Sequence, residues 1–157
     1  MVLLFSKLTK MKENSKMNRI ELKMNKSIFE QRKVMKSEDA YDVIRKFFGD
    51  NIDIYESFFI LLLNRSNTCI GYAKISQGGC VGTIVDVKMI VKYVVDSFAQ
   101  GVILAHNHPS GNTTPSTEDR VLTEKIRKAL RVFDCEVLDH LVLTQNQYYS
   151  FQDEGLL

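Results

Sequence analysis

The sequence predicts an α/β (α+β) domain in which a mixed β-sheet is flanked by helices. Short apolar runs typical of strands alternate along the chain with segments whose apolar residues recur at helical spacing. Their order is strand, helix, hairpin, helix, strand, helix and one or two final strands, which favours a mixed sheet packed against helices. The chain has 157 residues, 45% of them hydrophobic, with 8 Gly and 2 Pro, so a single hydrophobic core is expected.

Six segments carry strand patterns. They are residues 20–25, 55–63, 68–75, 102–105, 135–143 and 148–151. The first alternates apolar and polar side chains, and the second and third flank an Asn-Arg-Ser-Asn sequence whose turn chemistry predicts a hairpin. The continuous apolar run at 102–105 is too short for a helix and predicts a buried central strand. The last segment is interpreted as an edge strand.

Three segments carry helix patterns. Ser37 is a suitable N-cap for the first, whose pattern stops before Gly49. The second presents an apolar face over residues 89–98 and is expected to end at Gly101. The apolar face of the third helix is predicted to consist of Leu122, Ile126, Ala129 and Phe133.

The charges are unevenly distributed. Residues 1–36 carry 10 Lys and Arg against 3 Glu, a net charge of +7, whereas the remainder carries 11 basic against 16 acidic residues, a net charge of −5. We therefore divide the chain into a basic N-terminal arm, 1–36, which includes the first predicted strand, and a domain, 37–157. A basic arm can neutralise phosphates, so nucleic acid is a candidate partner, and a solvated extension is the simpler alternative.

The composition excludes several classes of protein. No segment approaches the roughly 20 uncharged apolar residues of a transmembrane helix, and the first apolar run is too short for a signal peptide. Cys69, Cys80 and Cys135 form no Cys-x-x-Cys pair, which argues against a disulfide framework and against a thiolate zinc site. A cytoplasmic protein without membrane contact is expected, and no pattern indicates an oligomeric state.

The residues best suited to bind a metal ion follow the apolar run at 102–105. Because side chains i and i+2 of an extended segment point to the same side, His106 and His108 can offer ring nitrogens to one ion while Asn107 faces away. Asp119, early in the following helix, is the candidate third ligand. Two histidines and an aspartate leave a fourth coordination position open, as in catalytic rather than structural zinc sites.

Each of these residues also has a simpler interpretation. Ser116 is a good helix N-cap and Asp119 would lie at the third helical position, an arrangement common in proteins. The histidines could be ordinary loop residues. The combined spacing favours metal binding, because two of the three histidines of the chain fall in this stretch. His140, beside Asp139, either supports the ligands or is an ordinary sheet residue.

The same stretch resembles a known family. His106-x-His108, seven residues, Ser116, two residues and Asp119 match the JAMM (MPN-like, JAB) metalloprotease signature without a gap. The sequence Leu-Ala-His-Asn-His-Pro-Ser-Gly at 104–111, with Asp-His at 139–140 and Tyr-Ser-Phe at 149–151, resembles more narrowly the RadC family, historically named DNA repair proteins. The resemblance covers roughly residue 37 to the end and implies a cytidine-deaminase-like layout. The leader does not resemble the helix-hairpin-helix segment of full-length RadC proteins.

The resemblance implies a zinc-dependent hydrolase in which metal-activated water attacks a peptide or isopeptide bond of a protein substrate. The implied Zn²⁺ ligands are His106, His108 and Asp119. Glu56 is the implied general base, and the Ser116 hydroxyl is implied to stabilise the oxyanion. Glu56 has modest independent support, since it is an acid beside an apolar run, whereas Asp50 and Asp53 fall in a turn region.

Two other functions stay open at this stage. A DNA-binding or DNA-processing accessory module of the RadC type is supported by the basic arm, but the acidic domain carries no recognisable DNA-reading motif. A metal-binding but inactive interaction protein is disfavoured by the intact Glu56. The consecutive His-Asn-His is not the nuclease motif of that name, which spreads its residues over a ββα unit.

Overall fold

The structure, a computed structural model, describes residues 31–79 and 83–157. Its helices are α1 (Ser37–Phe48), α2 (Val87–Ser97) and α3 (Thr117–Arg131), and a 3₁₀ turn (Gly49–Asn51) follows α1. Its strands are β1 (Ser57–Leu63), β2 (Cys69–Gln77), β3 (Gly101–Asn107), β4 (Glu136–Leu143) and β5 (Tyr148–Ser150). The strand predicted at residues 20–25 lies outside the described residues.

The strands form one mixed sheet in the order β2-β1-β3-β4-β5. β1 pairs antiparallel with both β2 and β3, and β5 pairs antiparallel with β4. β3 and β4 are parallel, because α3 returns the chain to the starting end of the sheet before β4 begins. The predicted α+β class, mixed sheet, hairpin and edge strand are therefore confirmed.

Helices cover both faces of the sheet, so its central strands are apolar on both sides. Every residue of β1 and β3 is buried. Alternate residues of β1 pack in opposite directions: Phe58 and Ile60 belong to the core shared with α2 and α3, whereas Phe59 and Leu61 belong to the core shared with α1. The continuous apolar run at the start of β3 thus marks a strand between two cores.

The start of α1 differs from its prediction. The prediction that Ser37 caps this helix is wrong, because Ser37 is its first residue. Asp39 Oδ2 instead accepts the backbone N–H groups of Met35 and Lys36, at 2.8 and 3.2 Å. The Ser37 hydroxyl donates to Asp153 Oδ2 at 2.5 Å, a charged acceptor supplied by the far end of the chain.

Two further helix predictions extend too far. α2 ends at Ser97, since Phe98 adopts a left-handed φ of 54°. Gly101 instead opens β3, where a Cβ would lie 2.7 Å from Leu138 Cδ1, so a larger residue would require the Leu138 side chain to move. α3 buries Ile126 as predicted but ends before Phe133, which is 49% exposed.

The β3-α3-β4 crossover determines where polar side chains gather. The carboxyl end of β3, the loop that follows it and the N-terminus of α3 lie at one edge of the sheet, where crossover units commonly build binding sites. The segment that precedes β1 reaches the same edge, because β1 is antiparallel to β3 and Phe58 pairs with His106.

The described residues also bear on the predictions made for membrane spans and for the cysteines. Within residues 31–79 and 83–157, every helix is too short or too polar to cross a bilayer. Cys135 is buried, Cys69 is half-buried, and both are free thiols. Burial raises the pKa of both thiols, that of Cys135 to about 11, so they are protonated at neutral pH.

Candidate metal centre

The rings of His106 and His108 meet at the carboxyl end of β3. His106 is 1% exposed and lies within the strand. His108 follows the strand, and its backbone N–H donates to Leu143 O at 2.9 Å, which continues the ladder with β4 for one more residue. The two Nε2 atoms are 3.0 Å apart. The alternation of an extended chain thus brings both rings to one side.

Asp119 reaches the histidines from the first turn of α3. Its Oδ1 is 3.2 Å from His106 Nε2, and its Oδ2 is 3.6 Å from His108 Nε2. One ligand atom from each of these residues lies within 4.8 Å of the other two. Oδ2 also accepts the backbone N–H and the hydroxyl of Ser116, at 2.7 and 2.6 Å. Oδ1 is therefore the oxygen with fewer competing hydrogen bonds.

Ser116 connects the helix cap to the site. Its Oγ accepts the backbone N–H of Asp119 at 3.0 Å, and Asp119 returns the contact through Oδ2, which completes a capping box. The simple interpretation of Ser116 as N-cap and Asp119 as third helical residue therefore describes the structure. This capping role is compatible with a metal site, because the cap orients the same carboxylate that faces the histidines.

The donor set fits a zinc ion. His108 Nδ1 is 2.7 Å from the carbonyl oxygen of Asn112, which can only accept, so Nδ1 carries the proton and Nε2 presents a lone pair. That lone pair lies beside the ring of His106 and the carboxylate of Asp119. Two imidazole nitrogens and one carboxylate oxygen are donors that catalytic zinc sites use.

The proximity of the three groups changes their ionisation. Burial on its own raises the pKa of Asp119, but the adjacent rings of His106 and His108 outweigh it and hold that pKa well below its usual range. The adjacent carboxylate of Asp119 raises the pKa of His108 against the opposing effect of burial, because it favours the protonated ring. Asp119 is therefore anionic at neutral pH, and protons compete with a metal ion for His108.

Glu56 lies on the β1 side of the same cleft. This site cleft, of about 570 Å³, is lined by the three candidate ligands, Glu56, Ser116 and several apolar side chains. The backbone of Glu56 donates to Gly79 O at 3.3 Å and accepts from Gly78 N at 2.9 Å, so the segment before β1 continues the hairpin. Glu56 is half-buried, whereas Asp50 and Asp53 are exposed and do not line the cleft.

Asn107, between the histidines, faces the other side of the sheet and holds the backbone around Glu56. Its Oδ1 accepts the N–H of Ser57 at 2.8 Å, and its Nδ2 donates to the carbonyl oxygens of Tyr55, at 2.8 Å, and of Ile52. One fully buried carboxamide therefore holds the peptide groups on both sides of Glu56. Sequence reasoning found only that Asn107 faces away, although a buried amide in a strand signals a need for partners.

Asp139 and His140 point to opposite sides of β4. Asp139 accepts the N–H groups of His140 and Gln152, at 2.7 and 3.0 Å, and the hydroxyl of Ser150 at 2.7 Å. His140 is fully buried between His106 and Thr123. Burial lowers the pKa of His140 well below its usual value. Thr123 is a site neighbour that sequence reasoning missed, because a threonine within a helix carries no distinctive signal.

Comparisons with known proteins agree with this architecture. A family model described as a RadC-like JAB domain matches residues 34–156. A UPF0758 protein of Flavobacterium johnsoniae is 43% identical over 129 residues, which are 82% of this chain and 56% of the relative. The UPF0758 protein YfjY of Escherichia coli is 42% identical over 102 residues, 65% of this chain and 64% of the relative.

A third relative, a UPF0758 protein of Coprothermobacter proteolyticus, is 37% identical over 130 residues, 82% of this chain and 55% of its own length. The chain spans about half the length of the curated relatives it matches. The family model covers all of the helices and strands described above. On this match, the chain belongs to the RadC-like JAB domain family.

Proposed function

We propose that the protein is a zinc-dependent hydrolase of the JAMM type that cleaves a peptide or isopeptide bond in a protein substrate. One observation carries the proposal: the ring nitrogens of His106 and His108 and the carboxylate of Asp119 converge in a cleft that Glu56 and Ser116 also line. Zinc held there would supply Lewis acidity, which can polarise a carbonyl group and lower the pKa of water towards neutrality.

Glu56 is the proposed general base. Its half-buried carboxylate reaches the cleft from a backbone that Asn107 anchors on both sides. In the proposed reaction it accepts the proton of the attacking water and returns that proton to the leaving nitrogen. A carboxylate on anchored backbone suits this role, because proton transfer requires a base that stays within hydrogen-bond reach of the water.

Ser116 is the proposed donor to the carbonyl oxygen as negative charge develops on it. Its hydroxyl donates to Asp119 Oδ2 at 2.6 Å in the substrate-free protein. If the hydroxyl turns towards a substrate, Oδ2 still accepts the backbone N–H of Ser116 at 2.7 Å. The helix cap therefore loses one hydrogen bond rather than its whole set during the reaction.

The lining of the site cleft supports an amide substrate over a phosphodiester. The described lining residues include no Lys or Arg and three carboxylates, those of Glu56, Glu118 and Asp119. Apart from the zinc ion itself, a phosphodiester would meet no Lys or Arg there to offset repulsion from these groups. An amide is neutral, and Phe58, Val85 and Leu122 offer an apolar wall to the side chains that flank it.

The DNA-related alternative depends on a different part of the chain. The net charge of +7 over residues 1–36 supports salt-sensitive binding to phosphates without sequence preference. Most of that arm lies outside the described residues. Binding through the arm would leave the hydrolase proposal for the cleft intact, whereas DNA cleavage at the cleft would replace it.

Glu56→Gln tests the proposal, because glutamine keeps the shape of the side chain but cannot accept the water's proton. Zinc-loaded wild-type protein is incubated with a panel of fluorogenic peptides and isopeptide-linked protein conjugates, and in parallel with plasmid DNA. We expect amide cleavage that falls about 10²- to 10⁴-fold in the variant, or roughly 3 to 5 kcal/mol in the barrier.

The matched control is Asp53→Asn, which removes an exposed carboxylate from the same segment and should leave the rate unchanged. Zinc content should be equal in all three proteins. Nicking of DNA that is lost in Glu56→Gln, with no amide cleaved by the wild type, would contradict the proposal. Full amide cleavage by folded, zinc-loaded Glu56→Gln would contradict the assigned base.

A further inference from the structure

A buried chain of hydrogen bonds begins at the second ring nitrogen of His106. His106 Nδ1 is 2.8 Å from His140 Nε2, and His140 Nδ1 is 2.6 Å from Thr123 Oγ1. Thr123 Oγ1 is in turn 2.6 Å from the carbonyl oxygen of Asp119. The three side chains, His106, His140 and Thr123, are 1%, 0% and 3% exposed. This relay links β3, β4 and α3, the elements that surround the candidate metal centre.

At Thr123, the donor and the acceptor of each hydrogen bond can be assigned. A carbonyl oxygen only accepts hydrogen bonds, so the single hydroxyl proton of Thr123 is donated to Asp119 O. This contact spans four residues within α3 and is the usual back-bond of a helical threonine, so it forms independently of the site. Towards His140, Thr123 Oγ1 must therefore accept, and His140 Nδ1 must carry a proton.

The position of the proton on His140 then determines which nitrogen of His106 donates. A second proton on His140 would create a buried cation, and among the described residues no carboxylate is hydrogen bonded to its ring. A neutral His140 with its proton on Nδ1 has a lone pair on Nε2. That lone pair accepts the N–H of His106 Nδ1, so a neutral His106 carries no proton on Nε2.

We propose that Thr123 and His140 are positioning residues that hold His106 as its Nδ1–H tautomer, with the Nε2 lone pair directed towards His108 and Asp119. The inference rests on the metal site of the proposed function and explains how His106 is ready to bind before an ion arrives. In the opposite tautomer, a proton on Nε2 would occupy the ligand position.

A separate hydrogen bond holds His108 in the same tautomer. Its Nδ1–H donates to the carbonyl oxygen of Asn112 at 2.7 Å, within the loop before α3. A change in the relay should therefore alter His106 and leave His108 unchanged. The chain has three histidines, so each ring can be followed in one spectrum.

Thr123→Val is the central variant, because it removes the hydroxyl and keeps the branched shape. Without that acceptor, His140 is expected to move its proton to Nε2 and donate to His106 Nδ1. His106 must then carry its own proton on Nε2. Thr123→Ser restores the hydroxyl, and His140→Phe removes the acceptor of His106 altogether. Thr144→Val is the matched control, since Thr144 is buried and its hydroxyl bonds Gln147 O outside the relay.

The first measurement is long-range ¹H–¹⁵N NMR of the imidazole rings in zinc-free protein at about pH 8, where histidines are ordinarily neutral. Wild type, Thr123→Ser and Thr144→Val should show His106 protonated on Nδ1, and Thr123→Val should show it on Nε2. The second measurement is zinc affinity by chelator competition, which should fall about 10- to 100-fold in Thr123→Val and His140→Phe and stay unchanged in Thr123→Ser and Thr144→Val.

A wild-type His106 protonated on Nε2 would overturn the proposal, as would Thr123→Val with the wild-type tautomer or zinc affinity. The outcome is separable from that of the proposed function. Absence of zinc binding by the wild type would contradict the proposed function, whereas the tautomers are read without metal and judge the relay by themselves.

Discussion

The two sides of β3 and β4 both bury polar side chains, but they differ in how those side chains are satisfied. On the α1 side, Asn107 and Asp139 find all their partners within the protein, each through three hydrogen bonds. On the α2 and α3 side, the metal-binding atoms of His106, His108 and Asp119 face one another, and lone pairs in that arrangement need a cation or an added proton between them.

This difference separates polar residues whose partners all lie within the protein from the residues proposed to bind a metal ion. A buried polar group with a complete set of internal partners contributes to a unique native structure. A lone pair that faces only other acceptors has no hydrogen-bond donor until a proton or a metal ion lies between them. The comparison predicts that substitutions on the α1 side cost stability, whereas substitutions at the metal centre cost zinc binding.

The largest effect is expected from His108→Ala, which removes one of the three proposed ligand atoms. Zinc per chain, measured by elemental analysis after dialysis, should fall from one to near zero. The zinc-free protein should lose about 1 kcal/mol of unfolding free energy, because the hydrogen bond between His108 Nδ1 and Asn112 O is removed. One tightly held zinc per chain in this variant would show that the ligands have been assigned wrongly.

An intermediate effect is expected from Asn107→Leu on the other side of the sheet. Leucine has a similar volume but leaves the N–H of Ser57 and the carbonyl oxygens of Tyr55 and Ile52 without their buried partner. Urea denaturation of the zinc-free protein should show a loss of about 3 kcal/mol, since each unsatisfied group costs roughly 1 to 3 kcal/mol.

The same Asn107→Leu protein should still bind one zinc per chain, because its side chain points away from the ligands. Hydrolysis should also slow, because the backbone that carries Glu56 loses its anchor. Unchanged stability together with lost zinc would reverse the roles assigned to the two sides.

The smallest effect is expected from Ser116→Ala. Ser116 both caps α3 and lines the candidate metal centre. Loss of the helix cap should cost about 1 kcal/mol of unfolding free energy. Thr117→Ala, at the next position and exposed, is the control and should stay within about 0.5 kcal/mol of the wild type. Equal stability of the two variants in the same denaturation experiment would contradict the capping role of Ser116.

Sequence reasoning succeeds where local geometry determines position. His106, His108, Ser116 and Asp119 lie close together in the chain, so strand alternation and helix capping suffice to place them in one cluster. The partners of these residues come from distant segments. Thr123 and His140 meet His106 only because β3 pairs with β4 and α3 packs against both, and no local pattern encodes those contacts.

The same distinction explains the errors in the fold prediction. The strands and helices follow from hydrophobic periodicity, which each segment carries by itself. At the start of α1, the Ser37 hydroxyl bonds Asp153, which lies 116 residues later in the chain, and Asp39 accepts the backbone N–H groups instead. At Gly101, the side chain of Leu138 in the neighbouring strand lies close to where a Cβ would be. Long-range contacts therefore decide the boundaries that local signals leave open.

X-ray absorption at the zinc edge of the zinc-loaded wild-type protein tests the central claim most directly, because it reports the atoms bound to the metal. We expect one zinc per chain with two imidazole nitrogens at about 2.0 to 2.1 Å, oxygen ligands at about 2.0 to 2.2 Å and no sulfur. A zinc–sulfur distance near 2.3 Å, or a spectrum without two imidazoles, would contradict the assignment of His106, His108 and Asp119 as the metal centre.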